Sequence, residues 1–518
     1  MLLIENKRKV VFAPENTQQV LEAIPHARAF EHKGQELVAV HHGVDERVVL
    51  RNFGLDVPPP ILHYYDWPAR NITARTHQKH TAAFLTNYRL ALCLNAPGTG
   101  KTLSALWAAD FLMREGIIKR VLVIAPKSTL LSVWGKELKH HFPFRSFTIL
   151  TGTKERRQRL LDQPTDFCVI NHDGFTAFHA QLQGLFDLVL YDEGTALKTP
   201  SSQRFRIFHK WMQANAAWLW LFTGTPISQS PTDAWTLAKL VRSPTVPKSF
   251  TTFRDMVLDK VSMFKWVPRK DALDVCKRVL QPSIRYSLEE CIDLPPMNYV
   301  NRECDMTPAQ VRAFKAMQEK AIAIFSNTTV VAANAAVVLG KLLQIVGGVI
   351  YDNDGERIHI DAEPRLEALI ELMEEIGDKG VIYVPLRGAQ DWLYKRLTEK
   401  KWKVAMVHGG VSQKERHRIF SEFQEGTEIN WMLAHPRVAA HGLDFTRAPA
   451  SIWYMPVHSM EQYEQANARI RRLTTKGSTT IFQLYATPFE RELYRRLQYR
   501  KKVLTDFLNL VHGENVDD

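Results

Sequence analysis

The sequence predicts an α/β protein. Two parallel-sheet lobes are expected, with a mostly helical insert between them and a small α+β domain at the N-terminus. Three observations lead there. Residues 70–245 alternate short apolar runs with helical patterns, as a parallel sheet covered on both faces requires. A second alternation starts near residue 363. A glycine-rich turn, "NAPGTGKT" at 95–102, stands between a strand and a helix of the first alternation.

Residues 1–67 read as a separate unit. "ENTQQVLEAI" predicts a helix, and "ARAFEHKGQELVAVHH" predicts a hairpin turning near Lys33-Gly34. "GVDERVVLRNFG" predicts a second helix closed by Gly54, and "VPPPILHYYDWP" reads as a proline-rich linker. The first lobe, 70–245, has candidate strands at 89–95, 120–126, 166–171, 186–193 and 217–224. A helix is expected in "GKTLSALWAADFLMREG". Residues 246–360 are expected to be mostly helical. The second lobe, 361–490, has strands in "GVIYVP", "KVAMVHG", "INWMLAH", "SIWYMP" and "TIFQLYA". Residues 491–518 continue a basic helical pattern to the end.

A chain of 518 residues is long enough for two or more domains, each with its own core. The net charge of +12 and pI of about 9.3 favour an anionic partner, nucleic acid above all. A merely soluble basic surface is the plainer alternative. The cysteines, Cys93, Cys168, Cys276, Cys291 and Cys304, form no C-x-x-C pair, and no histidine cluster has metal-ligand spacing. Zinc is therefore not expected, and reduced thiols of an intracellular protein are. The start, "MLLIENKRKVVF", carries charges where a signal peptide needs apolar residues. No apolar run approaches the ~20 residues that span a bilayer. A cytoplasmic protein without a targeting signal or membrane partner is expected.

The chemistry centres on two stretches. In "APGTGKT" the glycines Gly98 and Gly100 let the backbone wrap a phosphate, flanked by Pro97 and Thr99. The helix that follows offers free N–H groups and a positive dipole end. Lys101 suits the β/γ-phosphates, and the Thr102 hydroxyl suits magnesium. The strict P-loop pattern has glycine where Asn95 stands, so this is a variant. In "FDLVLYDE" a buried strand ends in two carboxylates, Asp192 and Glu193. Alone, such a pair also fits a helix start. Beside a P-loop, Asp192 would hold the magnesium shell and Glu193 would polarise the attacking water. "EQYEQANARIRR" places Arg469 and Arg472 on one helix face. It reads either as a solvated basic helix or as a source of charge for a transferring phosphate.

Taken in order, these motifs resemble the superfamily 2 helicases and, within them, the Swi/Snf-type DNA translocases. The similarity runs from about residue 70 to 490. "THQKHTAAF" resembles the adenine-reading motif and implies that Gln78 meets the base. "VLVIAPKSTLLSVWGKEL", with Trp134, resembles the second motif, and "DEGTALKTPSSQR" the D-E-x-x box. "LFTGTPISQSPTDAWTLAKLV" is the most diagnostic stretch. "LQPSIRYSLEECIDLPP" is similar to the family's insert, and "VHGGVSQKERHRIFSEF" to a second-lobe motif around Arg416.

The resemblance implies RecA-like lobes, ATP and magnesium as cofactors, and nucleotide contacts from Gly442 and Asp444. It implies DNA contact or coupling by Lys127, His172, Thr223, Thr225 and Arg437, and an arginine finger at Arg472 with Arg469. The expected activity is ATP-dependent translocation on duplex, forked or four-way DNA, as in branch migration or fork remodelling, by a monomer as the basic motor. A nucleic-acid clamp with little turnover and an RNA helicase are the alternatives. Two departures, "HPRVAAHGLDFTRA" and the missing Gly-Gln after Arg472-Leu473, suggest a compact, phage-like branch. The N-terminal unit loosely resembles HARP-type domains. A generic packing or dimerisation domain fits it equally well.

Overall fold

The computed structural model describes residues 2–4, 8–228, 230–262, 266–291, 297–327, 332–352, 356–377, 379–439, 445, 447–470 and 479–499. The described chain divides into two compact units, before and after Cys291.

The first unit opens with an antiparallel sheet of β1 (Leu2–Ile4), β2 (Lys9–Phe12), β3 (Arg28–His32) and β4 (Gln35–His41), in the order β1-β2-β4-β3. Lys33 and Gly34, with φ of 53° and 77°, make the expected two-residue hairpin turn. Helices α1 (Thr17–Ala23) and α2 (Val44–Asn52) match the two expected helices. The Asn16 side chain caps α1 by accepting from Gln19 N at 3.1 Å. Val10, Phe12, Val20, Val38, Val40, Leu50 and Val57 close a small core of their own.

The proline-rich stretch after α2 is a docked strap, where the sequence suggested a linker. It contains a short helix, α3 (Ile61–Tyr64). Ile61 and Tyr65 enter the same core as the helix of the glycine-rich turn. The Trp107 indole donates to Pro68 O at 2.8 Å, and the Tyr65 hydroxyl donates to Asp110 Oδ2 at 2.7 Å. Asp110 is fully buried, and Arg114 and Arg145 pair with it at 2.8 and 2.7 Å. The prolines fix the course of the strap, while the apolar residues between them supply its buried area.

Helices α4 (Thr76–Asn87) and α5 (Lys101–Arg114) flank the first strand of the lobe. The strands are β5 (Leu90–Cys93), β6 (Val121–Ala125), β7 (Phe147–Ile149), β8 (Phe167–Asn171), β9 (Leu188–Asp192) and β10 (Trp218–Phe222). After a small hairpin, β11 (Leu258–Lys260) and β12 (Trp266–Pro268), comes β13 (Ser283–Ile284). The parallel sheet runs β13-β5-β10-β9-β6-β8-β7. Every residue of β6 is buried, as expected of a strand covered on both faces.

The second unit holds β14 (Met297–Glu303), β15 (Val349–Tyr351), β16 (Arg357–His359), β17 (Gly380–Tyr383), β18 (Val404–Val407), β19 (Trp431–Ala434), β20 (Ala450–Trp453) and β21 (Thr479–Tyr485). Its parallel sheet runs β14-β21-β20-β17-β19-β18. The span 246–360 thus supplies an edge strand to each lobe sheet, alongside helices such as Pro308–Asn327. Among the described residues no helix is long and apolar enough to cross a membrane.

The second core contains a buried ion pair. Arg365, on the helix Glu363–Ile376, meets both oxygens of Glu490 at 2.7 and 2.8 Å. Burial opposes the Arg365 charge, but Glu490, Cys304 and Tyr454 together outweigh that and raise its pKa. Glu490 also accepts from Ala486 N and the Thr487 hydroxyl. Glu490→Gln should destabilise this unit by about 3–5 kcal/mol, because it leaves a buried guanidinium without its counter-charge. Replacing both partners with apolar residues should cost much less. Urea unfolding of both variants checks this, and equal losses would contradict it.

Candidate nucleotide-binding site

The site is built at the carboxyl ends of the first lobe's strands. After β5 the chain turns through Asn95–Gly100 into α5. Gly98 and Gly100 take φ of 87° and 84°, a region that L side chains avoid. A Cβ at Gly100 would also collide with the Gln78 amide. Gly100 is the N-cap of α5 and offers no side-chain bond. The N–H groups of the first turn therefore suit an anion.

Lys101 folds back over this loop. Its ammonium donates to Asn95 O at 2.8 Å and Ala96 O at 3.3 Å. Burial pushes its pKa down, against the pull of Cys93, Glu193 and Asp192. Gln78 and His77 brace the loop from α4. Gln78 accepts from Arg75 N at 3.0 Å and donates to Thr99 O at 3.4 Å. The His77 ring nitrogen lies 2.9 Å from the same carbonyl.

Asn95 explains the departure from the strict P-loop pattern. Its amide donates to the Thr81 hydroxyl at 2.8 Å, and its carbonyl accepts from Tyr286 N at 2.9 Å. The side chain is buried and ties α4 to the segment after β13. Glycine cannot make this tie.

The carboxylates arrive from β9. Asp192 Oδ2 accepts from the Trp134 indole at 3.1 Å, and Oδ1 accepts from Glu193 N at 3.1 Å. The His172 ring reaches Asp192 O at 2.9 Å and stacks on Tyr191. Glu193 sits at φ 55°, ψ 60° in the left-handed region. Such backbone costs a non-glycine residue roughly 1–3 kcal/mol and concentrates at functional sites.

β10 brings the third element. Thr223 N donates to Cys93 O at 3.0 Å, and Thr225 N donates to the Thr223 hydroxyl at 3.1 Å. A Cβ on Gly224 would stand 3.0 Å from Pro97 Cδ, so these two loops touch. Lys198 donates to the Ser228 hydroxyl at 2.9 Å, and Ser228 bonds Asp233 at 3.2 Å.

The structure therefore brings Gln78, Pro97, Gly98, Thr99, Gly100, Lys101, Thr102, Asp192, Glu193, His172, Thr223 and Thr225 to the carboxyl ends of the strands of one sheet. Lys127 lies at those ends too, exposed just beyond β6. Arg437 and Arg469 belong to the second unit. Arg437 is exposed on the short helix Pro436–Ala439, and Arg469 O accepts from Phe445 N at 2.9 Å. Gly442, Asp444 and Arg472 lie outside the described residues. Sequence reasoning assigned no role to Asn95, His77, Lys198, Ser228 or Asp233. Only the loop-breaking asparagine carried a signal of its own.

Thr102 and Asp192 offer hard oxygen donors on neighbouring elements, a set that suits magnesium with phosphate and water completing its shell.

Known proteins match the chain in the same order. The SNF2-related domain matches residues 77–346, more than half of the 518. The chain belongs to the SNF2-related family. The helicase conserved C-terminal domain matches residues 364–474 of this SNF2-related chain. Mouse chromodomain-helicase-DNA-binding protein 1-like is 24% identical over 436 residues, covering 79% of this chain and 47% of that protein. The chain thus spans about half the length of that curated relative. Putative protein p41 of Acyrthosiphon pisum secondary endosymbiont phage 1 is 24% identical over 427 residues, covering 77% of this chain and 89% of the phage protein. The Sulfolobus solfataricus SWI2/SNF2 ATPase core, solved in complex with dsDNA, is 20% identical, with a TM-score of 0.41 over 85% of this chain and 94% of that one.

Asn95→Gly would restore the strict loop pattern, yet it should destabilise the first unit by about 2–3 kcal/mol. Two buried hydrogen bonds are lost, to the Thr81 hydroxyl and from Tyr286 N. Chemical denaturation of the variant tests this, and unchanged stability would remove Asn95's structural role.

Proposed function

We propose that this chain is an ATP-driven motor on DNA. The observation that carries the reading is the meeting, at the carboxyl ends of one sheet's strands, of a half-buried lysine on a glycine-rich loop with two strand-end carboxylates, in an SNF2-related chain. Lys101 and the first turn of α5 hold the β- and γ-phosphates. Magnesium, when bound by Thr102 and Asp192, supplies charge neutralisation at the phosphates. Glu193 orients the water that attacks the γ-phosphorus, and the products are ADP and phosphate. Gln78 meets the adenine. Gly442 and Asp444 complete the nucleotide contacts, and Arg472, with Arg469, stabilises the transferring phosphoryl group. Lys127, His172, Thr223, Thr225 and Arg437 touch DNA or couple to it.

The net charge of +12 supports a polyanionic track. Duplex or branched DNA is the track we favour, with fork remodelling or branch migration as the task, by a single copy in the cytoplasm. The phage relative supports a compact branch of the family.

Lys101→Ala should abolish ATP hydrolysis, and Glu193→Gln should bind ATP while turning over very slowly. Arg472→Ala should lower turnover on the order of 10³-fold. The measurement is the ATPase rate of each protein with single-stranded, duplex, forked and four-way DNA, and with RNA as control. Stimulation by RNA alone would replace the reading with an RNA helicase. DNA binding without turnover would replace it with a clamp.

Truncation separates the N-terminal sheet from its strap. Removing residues 1–54 should leave a folded, somewhat less stable ATPase, because Val44 leaves the lobe core and Val57 loses its cover, that no longer prefers branched over linear DNA. Removing residues 1–69 should also unfold the first lobe, because it bares the faces that Ile61 and Tyr65 cover. Thermal melts and branch-migration assays on both truncations decide. Unchanged branch preference after the shorter deletion would deny the sheet a DNA role.

A further inference from the structure

Trp134 is 1% exposed and lies on a single turn of wide π-helix, Leu130–Gly135, just beyond β6. Such turns are rare and gather at functional sites. The only polar atom of the side chain, the indole N–H, is spent on Asp192 Oδ2 at 3.1 Å. The other carboxylate oxygen is held by Glu193 N at 3.1 Å. Asp192 is thus gripped through both oxygens, once by its own turn and once by a side chain from a different strand-to-helix connection. Filling the space needs only an apolar ring. Holding the carboxylate needs the N–H.

We propose that Trp134 is a positioning residue: its indole N–H fixes the Asp192 carboxylate in the orientation that receives the divalent cation of the bound nucleotide. The inference rests on the nucleotide-site reading above and adds a residue to it. The wide turn is part of the device, because it sets the indole beneath the end of β9.

Two replacements test it. Trp134→Phe keeps an aromatic ring. Benzothienylalanine at position 134 keeps the bicyclic shape and replaces only the N–H, with sulfur. Each is compared with the parent for Mn²⁺ binding by electron paramagnetic resonance, with a non-hydrolysable ATP analogue present, and for melting temperature. The magnesium dependence of ATP hydrolysis is measured alongside.

The benzothienyl protein should stay folded and melt at most a few degrees below the parent, while its Mn²⁺ affinity falls about fivefold, the size of effect expected for one hydrogen bond. Half-saturating magnesium should rise by a similar factor. Metal-free nucleotide affinity should not change. Parent-like Mn²⁺ affinity in the benzothienyl protein would overturn the proposal and leave Trp134 as packing. That variant decides alone if Trp134→Phe does not fold. A parent that binds no Mn²⁺-nucleotide would overturn the nucleotide-site reading, and this inference with it.

Discussion

An ammonium group held over a loop of bare backbone is the constraint around which the first lobe is arranged. Lys101 cannot stay charged in a half-buried place without acceptors. The loop supplies the carbonyls of Asn95 and Ala96, and the end of β9 and the turn after it supply carboxylates whose charge opposes part of the effect of burial. Carbonyls alone make a weak trap for a cation whose natural partner is a phosphate. The neighbours therefore stabilise the loop rather than the lysine. Gln78 and His77 hold Thr99 O, Pro97 rests against Gly224, and Asn95 reaches to Thr81 and Tyr286. These contacts brace the loop with no anion in it, and a braced loop has less ordering left to do on binding.

Much of this was legible before the fold was known. The five expected strands of each lobe all form, because buried parallel strands leave continuous apolar runs that helices seldom share. β7, β13 and β14 were missed for a physical reason. β7 and β13 are too short to show a period, and β14 is mostly exposed, so its residues read as polar. The glycines and the Asp192-Glu193 pair announced themselves because few other contexts tolerate them. Side chains that act by hydrogen bonding to backbone, such as His77, leave no mark on periodicity or composition.

The strap shows a different limit of sequence reading. Prolines signal a break in regular structure, and a break is easily taken for a free linker. Here Val57 stands just before the prolines and Ile61 and Tyr65 lie between them, and each is buried. Tyr65 carries the strap to Asp110, which sits on the same helix as Lys101. The far end of the P-loop helix is thereby anchored through a carboxylate shared by two arginines and a phenol. A buried carboxylate with that many partners gains its worth from geometry, since its net contribution to stability is small once desolvation is counted.

Two local rules are broken at this site, and they are broken differently. Asn95 departs from the loop pattern but violates nothing physical: every bond it makes is satisfied, and the residue serves structure. Glu193 keeps the family's residue but takes a backbone conformation that glycine would adopt more easily. Strain of this kind persists only where the surroundings fix it, and here Asp192 Oδ1 accepts the Glu193 amide directly. Consistency across levels marks most of the lobe. Asn71 and Arg242 also take left-handed backbone, but of these three positions only Glu193 stands in the turn that carries the two acids.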